Sequence, residues 1–138
     1  QIAARAAVRH GIPVSAMMTF TEVGKTMMGN SVQDFVEGMR EFPLTAGGLN
    51  CSLGPERAVP VIAAFRQYTD LPLMFKPNAG KPISQGDGTT VEYTADIFVE
   101  DSLPALDADV TYIGGCCGSD ASYIRALRGR LRRLGYGV

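Results

Sequence analysis

The sequence has little cysteine, almost no net charge and no long apolar run, and each shortage closes off a class of function. Three cysteines, an odd number with Cys116 and Cys117 adjacent, argue against a disulfide scaffold and for thiols kept reduced. A formal charge of -1 removes the electrostatic basis for non-specific nucleic-acid binding. The arginines that crowd the end of the chain (Arg125, Arg128, Arg130, Arg132 and Arg133) read as one solvated helix end. No stretch reaches the roughly 18 apolar residues that a membrane span needs, and no basic, apolar and cleavage-site succession marks a secretory signal. The expectation is a cytoplasmic protein with neither nucleic acid nor membrane as partner. The chain opens at Gln1 with no initiator methionine, which reads as a partial or trimmed chain.

What is present describes a globular protein rich in tight turns: 46% hydrophobic residues, 20% charged residues and 16 glycines are ordinary for a folded domain. A length of 138 residues suits one domain, residues 1–138. Residues 1 to about 10 carry a helical period, with Ile2, Ala3, Ala6 and Ala7 on one stripe, ended by Gly11 and Pro13. Residues 12–20 are uncharged and read as a buried parallel strand, with methionines expected in the core. A polar loop over 21–30 follows. Ser31 with Asp34 forms a capping pattern ahead of a helix whose Val32, Phe35, Val36 and Met39 face inward.

The same alternation continues. Residues 44–49 form a short strand in which Gly47 and Gly48 permit close approach of another backbone, and Pro55 opens a helix running to about Tyr68. Residues 71–76 form a third strand, stopped by Pro77, and residues 81–93 read as the longest loop. Thr94 caps a helix that Pro104 cuts short. Residues 110–113 are the fourth strand, and Ser119 is expected to cap a final helix built on Tyr123, Ile124, Leu127, Leu131 and Leu134 and ended by Gly135. Strand then helix, four times, is the pattern of a parallel sheet with right-handed crossovers.

Cys51 and the Cys116-Cys117 pair both follow predicted strands, so all three thiols fall on the C-terminal edge of the sheet, where parallel α/β folds carry their function. Taken alone, three cysteines in a chain this size are more often buried, inert thiols. Brought to one point, they make a three-ligand zinc site with a fourth position open to water or substrate. A Cys116–Cys117 disulfide would distort the intervening peptide. Asn50 and Asn78 flank the same edge and could hydrogen-bond a substrate's ammonium or carboxylate, or satisfy local turn backbone. Glu22 reads as a solvated loop carboxylate, and His10, at a helix end, is a poor ligand.

Three ordered segments carry a resemblance. Gly48-Leu49-Asn50-Cys51-Ser52-Leu53-Gly54-Pro55, Lys76-Pro77-Asn78-Ala79-Gly80-Lys81-Pro82 and Gly114-Gly115-Cys116-Cys117-Gly118, with Met18-Thr19-Phe20-Thr21-Glu22 ahead of them, resemble the zinc-dependent homocysteine S-methyltransferase family. That family includes the homocysteine domain of cobalamin-dependent methionine synthase and the betaine and S-methylmethionine enzymes. The resemblance implies a (β/α)8 barrel, which typically needs about 250 residues, so this chain reads as its C-terminal half: an α/β unit of about four parallel strands alternating with helices.

The resemblance also implies that Cys51, Cys116 and Cys117 hold one Zn2+ and that the substrate is homocysteine. The methyl donor it implies is methylcobalamin, presented by a corrinoid protein, or betaine, or S-methylmethionine. A family glutamate that holds the homocysteine amino group lies on a strand that would precede Gln1. The expected state is a homo-oligomer or a half awaiting its N-terminal counterpart. The competing expectation is a non-catalytic, zinc-stabilised half-barrel that serves assembly.

Overall fold

The computed structural model describes residues 1–80, 82–85 and 88–137. Four parallel strands form its main sheet in the order β1, β2, β3, β6: β1 (Ser15–Met18), β2 (Ala46–Asn50), β3 (Leu73–Lys76) and β6 (Val110–Ile113). A helix follows each strand: α2 (Val32–Met39) after β1, α3 (Pro55–Phe65) after β2, α4 (Ala95–Ser102) after β3 and α5 (Ala121–Arg133) after β6, with α1 (Ile2–Val8) ahead of the first. The expected α/β alternation is therefore present. Among the described residues, no helix is long and apolar enough to cross a membrane.

Local chemistry explains where the helices begin. Ser31 and Asp34 close a reciprocal capping box, the Asp34 N–H donating to Ser31 Oγ at 3.1 Å and the Ser31 N–H to Asp34 Oδ2 at 2.8 Å, which satisfies two otherwise orphaned donors. The Ser31 N–H, and then the Ser31 hydroxyl donating to the same Oδ2 at 2.8 Å, hold the Asp34 carboxyl below its ordinary range. Pro55 stands at the first turn of α3, where its missing N–H costs nothing. Thr94 caps α4 through the Ile97 N–H, and a 3₁₀ helix (Leu103–Ala108) follows, with Pro104 in its first turn. The cap of α5 differs from expectation. Asp120 accepts the Ser122 N–H at 2.7 Å, while Ser119 turns back so that its hydroxyl donates to the Cys116 carbonyl at 2.7 Å.

Two apolar clusters anchor the sheet. The larger centres on Phe20, Phe35 and Phe65, whose rings meet edge to face at 5.8–6.2 Å between centroids, and it takes in Leu49, Leu73 and Phe75 from the strands. The second joins Phe98 and Val99 of α4 to Tyr123, Leu127 and Leu131 of α5. Gly48 is required where β2 meets β3, since a Cβ there would come within 2.0 Å of the Met74 carbonyl oxygen. At the opposite end of the sheet from the cysteines, the Arg66 guanidinium donates to the carbonyls of Thr69, Leu71, Ala108 and Asp109, tying the end of α3 to the approach of β6.

Several expectations fail here. The segment over 81–93 is mostly a two-stranded antiparallel hairpin, β4 (Pro82–Gln85) with β5 (Gly88–Val91), not a loop; Lys81, Gly86 and Asp87 lie outside the described residues. β1 is the edge of the sheet rather than a buried strand. Met27 and Met28 are exposed rather than core, because the loop between β1 and α2 folds into two tight turns, closed by Gly24 N–H to Thr21 and Gly29 N–H to Thr26, that hold residues 27 and 28 away from the sheet. In α1 it is Ala4 that is buried while Ile2 is exposed, and Ile124 of α5 and Leu134 just after it also face outward. Met17, Gly48, Met74 and Tyr112 share one row across all four strands. None of the four belongs to either apolar cluster.

Candidate metal centre

Cys51 follows the last residue of β2, and Cys116 lies three residues beyond β6, with β3 between them in the sheet. The parallel order brings thiols distant in sequence to one edge. Their three Sγ atoms lie within 4.8 Å of one another, and Cys51 and Cys117 are 3.3 Å apart. All three are free thiols, so the adjacent pair is unbridged.

The backbone at Cys51 is unusual. Cys51 and Ser52 both adopt left-handed conformations, with φ of 63° and 65°, which for residues other than glycine costs roughly 1–3 kcal/mol each and persists only where the surroundings enforce it. The enforcement is visible: the Cys51 N–H donates to the Lys76 carbonyl at 3.0 Å, the Leu53 N–H to the Cys51 carbonyl at 2.8 Å, and the Asn78 N–H to the Leu53 carbonyl at 2.8 Å. On the other side, the Cys116 N–H donates to the Pro77 carbonyl at 2.8 Å and the Ala79 N–H to the Cys117 carbonyl at 2.9 Å. The segment that continues β3 thus holds both cysteine loops. Gly118, at φ +79°, lets the chain turn away, and a Cβ there would lie 2.8 Å from Val91 Cγ1.

Electrostatics make the thiols unequal. Partial burial pushes the Cys51 thiol up, but the Cys117 thiol, the Ser52 N–H, the Cys116 thiol and the Asn78 side chain together outweigh it, so the thiol lies below its ordinary value. Contact with Cys51, and then the charge and contact of Cys116, push Cys117 up to about 11. Between Cys51 and Cys117, which share a site, the proton is favoured on Cys117.

The donor set fits zinc. A tetrahedral ion with Zn–S bonds of about 2.3 Å sets its sulfurs about 3.8 Å apart, and the sulfur separations here straddle that value. Three thiolates leave one coordination position for a further ligand. A Cβ built at Gly114, two residues before Cys116, would meet nothing within 4 Å.

The sequence-derived residues fare differently. Cys51, Cys116 and Cys117 converge. Asn50, the last residue of β2, is half-buried beside Cys51 and in register with Lys76. Asn78 reaches the cluster itself, its Oδ1 accepting the Cys117 N–H at 3.2 Å. Glu22 pairs with Arg57 at 3.7 Å across exposed surface, and both border a cleft of about 200 Å3 that Ser52, Gly80 and Tyr93 also line. Sequence reasoning did not single out Arg57 or Tyr93. Only Arg57's position one turn into a helix that begins beside Cys51 could have flagged it.

The chain matches the family model described as homocysteine S-methyltransferase over residues 1–131. It is 28% identical over 125 residues to the methionine synthase of Mycobacterium tuberculosis (strain ATCC 25618 / H37Rv), a match covering 88% of this chain and 10% of that protein. It is 26% identical over 132 residues to the methionine synthase of Mycobacterium leprae (strain TN), covering 94% of this chain and 11% of that one. The chain thus spans about a tenth of the length of these relatives. In fold it resembles the homocysteine methyltransferase MmuM of Escherichia coli. The oxidized form superposes with a TM-score of 0.74 at 22% identity, covering 93% of this chain and 40% of that one. The metallated form gives 0.70 at 23%, covering 93% and 39%. Coverage of well under half of those chains is what an α/β unit forming part of a larger barrel should give. With the family model matched along nearly its whole length, this chain belongs to the homocysteine S-methyltransferase family.

Proposed function

We propose that the chain is the metal-binding part of an enzyme that methylates the thiol of homocysteine, with Cys51, Cys116 and Cys117 holding one Zn2+. The observation that carries this reading is the convergence of three sulfurs from two separate loops within 4.8 Å on the C-terminal edge of a parallel sheet. When bound, zinc supplies one thing: a coordinated thiol is deprotonated outright, so a substrate with a free-thiol pKa near 8.5 is available as thiolate at neutral pH.

The chain's own residues prepare that event. The Lys76–Ala79 segment fixes both cysteine loops before substrate arrives, so little reorganisation remains at the moment of reaction. Three cysteine thiolates against a divalent ion leave excess negative charge, which keeps an added sulfur electron-rich. In the transfer, a sulfur lone pair forms the new S–CH3 bond while the bond from methyl to donor breaks, and that electron pair leaves on the donor. Betaine, S-methylmethionine and methylcobalamin carried by a corrinoid protein all satisfy this balance. Asn50, beside Cys51, is placed to meet the amino-acid end of the substrate. The unclustered row of Met17, Met74 and Tyr112 is the surface for the remaining partner, a second copy or an N-terminal half-barrel.

The test is homocysteine-dependent methyl transfer with each donor supplied in turn, on the zinc-loaded chain and on a version joined to an N-terminal half-barrel. Methionine formed from any donor by either protein supports the reading. Zinc bound with no transfer in both would leave the centre as a structural site in an assembly module.

A further inference from the structure

Lys76 ends β3, the strand that lies between the two cysteine loops, and its ammonium meets no carboxylate among the described residues. We propose that Lys76 is a substrate-binding residue: its ammonium takes the carboxylate of a thiol amino acid whose sulfur goes to the metal, and so makes the site select thiols that carry a carboxylate. The proposal rests on the zinc reading above and deepens it by assigning the residue that recognises the substrate's charged end.

The pleat decides where the side chain stands. Along β3, Leu73 and Phe75 are buried in the larger apolar cluster while Met74 and Lys76 are half-buried. Successive side chains of a strand point to opposite faces, so Lys76 stands on the face that the larger cluster leaves uncovered. Asn50 is its register partner on β2 and shares that face at the same level. On β6 the level falls to Gly114, whose N–H donates to the Phe75 carbonyl at 3.0 Å and which brings no side chain. One row back lie Met17, Met74 and Tyr112. One residue on come the thiols, with the Cys51 N–H donating to the Lys76 carbonyl at 3.0 Å.

Charge supplies the reason for a cation here. Three cysteine thiolates on a divalent ion carry a net negative charge, and homocysteine adds a thiolate and a carboxylate to it. Among residues 50–54, 76–80 and 114–119, which carry or hold the cysteines, Lys76 is the one cationic side chain. Arg57, further along, is engaged with Glu22 at 3.7 Å. A half-buried ammonium without a partner loses hydration for no return, whereas a carboxylate replaces that hydration with a charge-assisted hydrogen bond. The carboxylate of homocysteine is separated from its sulfur by only two methylenes and the α-carbon, and the flexible four-carbon stem of lysine lets the ammonium follow it.

The experiment titrates the cobalt-loaded chain with homocysteine and with aminopropanethiol, which is the same molecule without its carboxylate, and reads binding from the sulfur-to-metal charge-transfer absorption. The unsubstituted chain should bind homocysteine the more tightly. Lys76→Met, which keeps the length of the side chain and loses its charge, should weaken homocysteine by roughly 10-fold or more, the worth of a hydrogen bond to a charged group, and leave aminopropanethiol bound as before. Lys76→Arg should keep the preference. Lys76→Gln is read in place of Lys76→Met if that variant lacks a cooperative melt. Equal weakening of the two thiols would mean that Lys76 acts on the metal-bound sulfur through its charge, and would overturn the proposal. No change with either thiol, or an unsubstituted chain that does not prefer homocysteine, would overturn it as well. A chain that takes up no stoichiometric metal sinks the zinc reading itself, an outcome distinguishable because it appears before any thiol is added.

Discussion

The Sγ atoms of Cys51 and Cys117 stand 3.3 Å apart although 66 positions separate them in the chain. Two neutral thiols gain little from such a contact, and packing does not demand it, since Cys117 is exposed. The pair is held together by loops whose strain and hydrogen bonds would otherwise be costs without return, which accords with the ligand set proposed above. The expected outcome is about one zinc per chain, found by elemental analysis of protein purified under reducing conditions. Replacing Cys51, Cys116 or Cys117 singly by serine should abolish stoichiometric retention. Stripping the metal with a chelator should lower the melting temperature, because a ligand at 1,000 times its dissociation constant stabilises the native state by about 4 kcal/mol.

Proton release gives a second check. Zinc takes thiolates, so binding must expel the protons the cluster holds. Cys117, pushed up to about 11, is protonated at neutral pH in the metal-free chain, and Cys51 is set below its ordinary value. Lower pH therefore opposes binding. Apparent zinc affinity should rise as pH increases from 6 towards 9, with protons released to a weakly buffered solution on each addition of metal. A pH-independent affinity over that range would count against thiolate ligation.

The aromatic cluster sets the stability of the platform. Phe65 is fully buried and touches both Phe20 and Phe35 at ring distances of 5.8 and 5.9 Å. Phe65→Ala removes a large side chain from the packed junction of α2, α3 and the sheet, which typically costs about 3–5 kcal/mol. In urea, the midpoint should fall by the corresponding amount with little change in slope. A loss below about 1 kcal/mol would mean that the three rings do not form one packed unit.

The capping box predicts an acid-side effect with a definite sign. Asp34 is held below its ordinary value by the Ser31 backbone N–H first and by the Ser31 hydroxyl second. A carboxylate with a depressed folded pKa contributes stability that is present above its unfolded value, near 3.8, and is lost as pH falls through the folded one. Ser31→Ala should cost roughly 0.5–2 kcal/mol at neutral pH, measured by denaturant unfolding. It should also shrink the acid limb of the stability profile without removing it, because the hydroxyl's hold on Asp34 is lost while the backbone N–H of residue 31 remains.

Much of this architecture was legible because periodic burial and breakers agree. Pro55, Thr94 and the Ser31–Asp34 pair mark helix starts by chemistry that acts within four residues, and all three act as read. The three cysteines were legible because parallel order places every strand end on one edge. What failed was set by contacts that local sequence does not record. The β4–β5 hairpin hid in a stretch rich in glycine and polar residues, since a hairpin's stability comes from cross-strand pairing. Ser119 lost the capping role to Asp120 because its hydroxyl was needed on the Cys116 carbonyl. Met27 and Met28 looked like core residues but sit in turns whose hydrogen bonds hold them outward. Asn78 lies beside the cysteine cluster, its Oδ1 accepting the Cys117 N–H, a contact that no local pattern in the sequence records.

The last prediction concerns the face that the helices leave open. Met17, Met74 and Tyr112 lie in one row across the sheet, with Tyr112 45% exposed and Met17 and Met74 half-buried, and none of the three belongs to either apolar cluster. The two outer strands, β1 and β6, also present unpaired backbone groups, a ready template for association. Covering even a few hundred Å2 of apolar surface at about 25 cal/mol per Å2 is worth several kcal/mol, comparable with the net stability of a domain, about 5–15 kcal/mol. A row of this kind is stable in water only if something covers it. The 138-residue chain should therefore associate with itself, its mass in light scattering rising with concentration, and Met17→Lys with Tyr112→Lys should shift it towards monomer without abolishing zinc uptake, since neither residue lies at the sulfur cluster. A monodisperse monomer with a sharp cooperative melt would refute the expectation, for it would mean that the sheet tolerates its bare face and that the apolar row is not an interface.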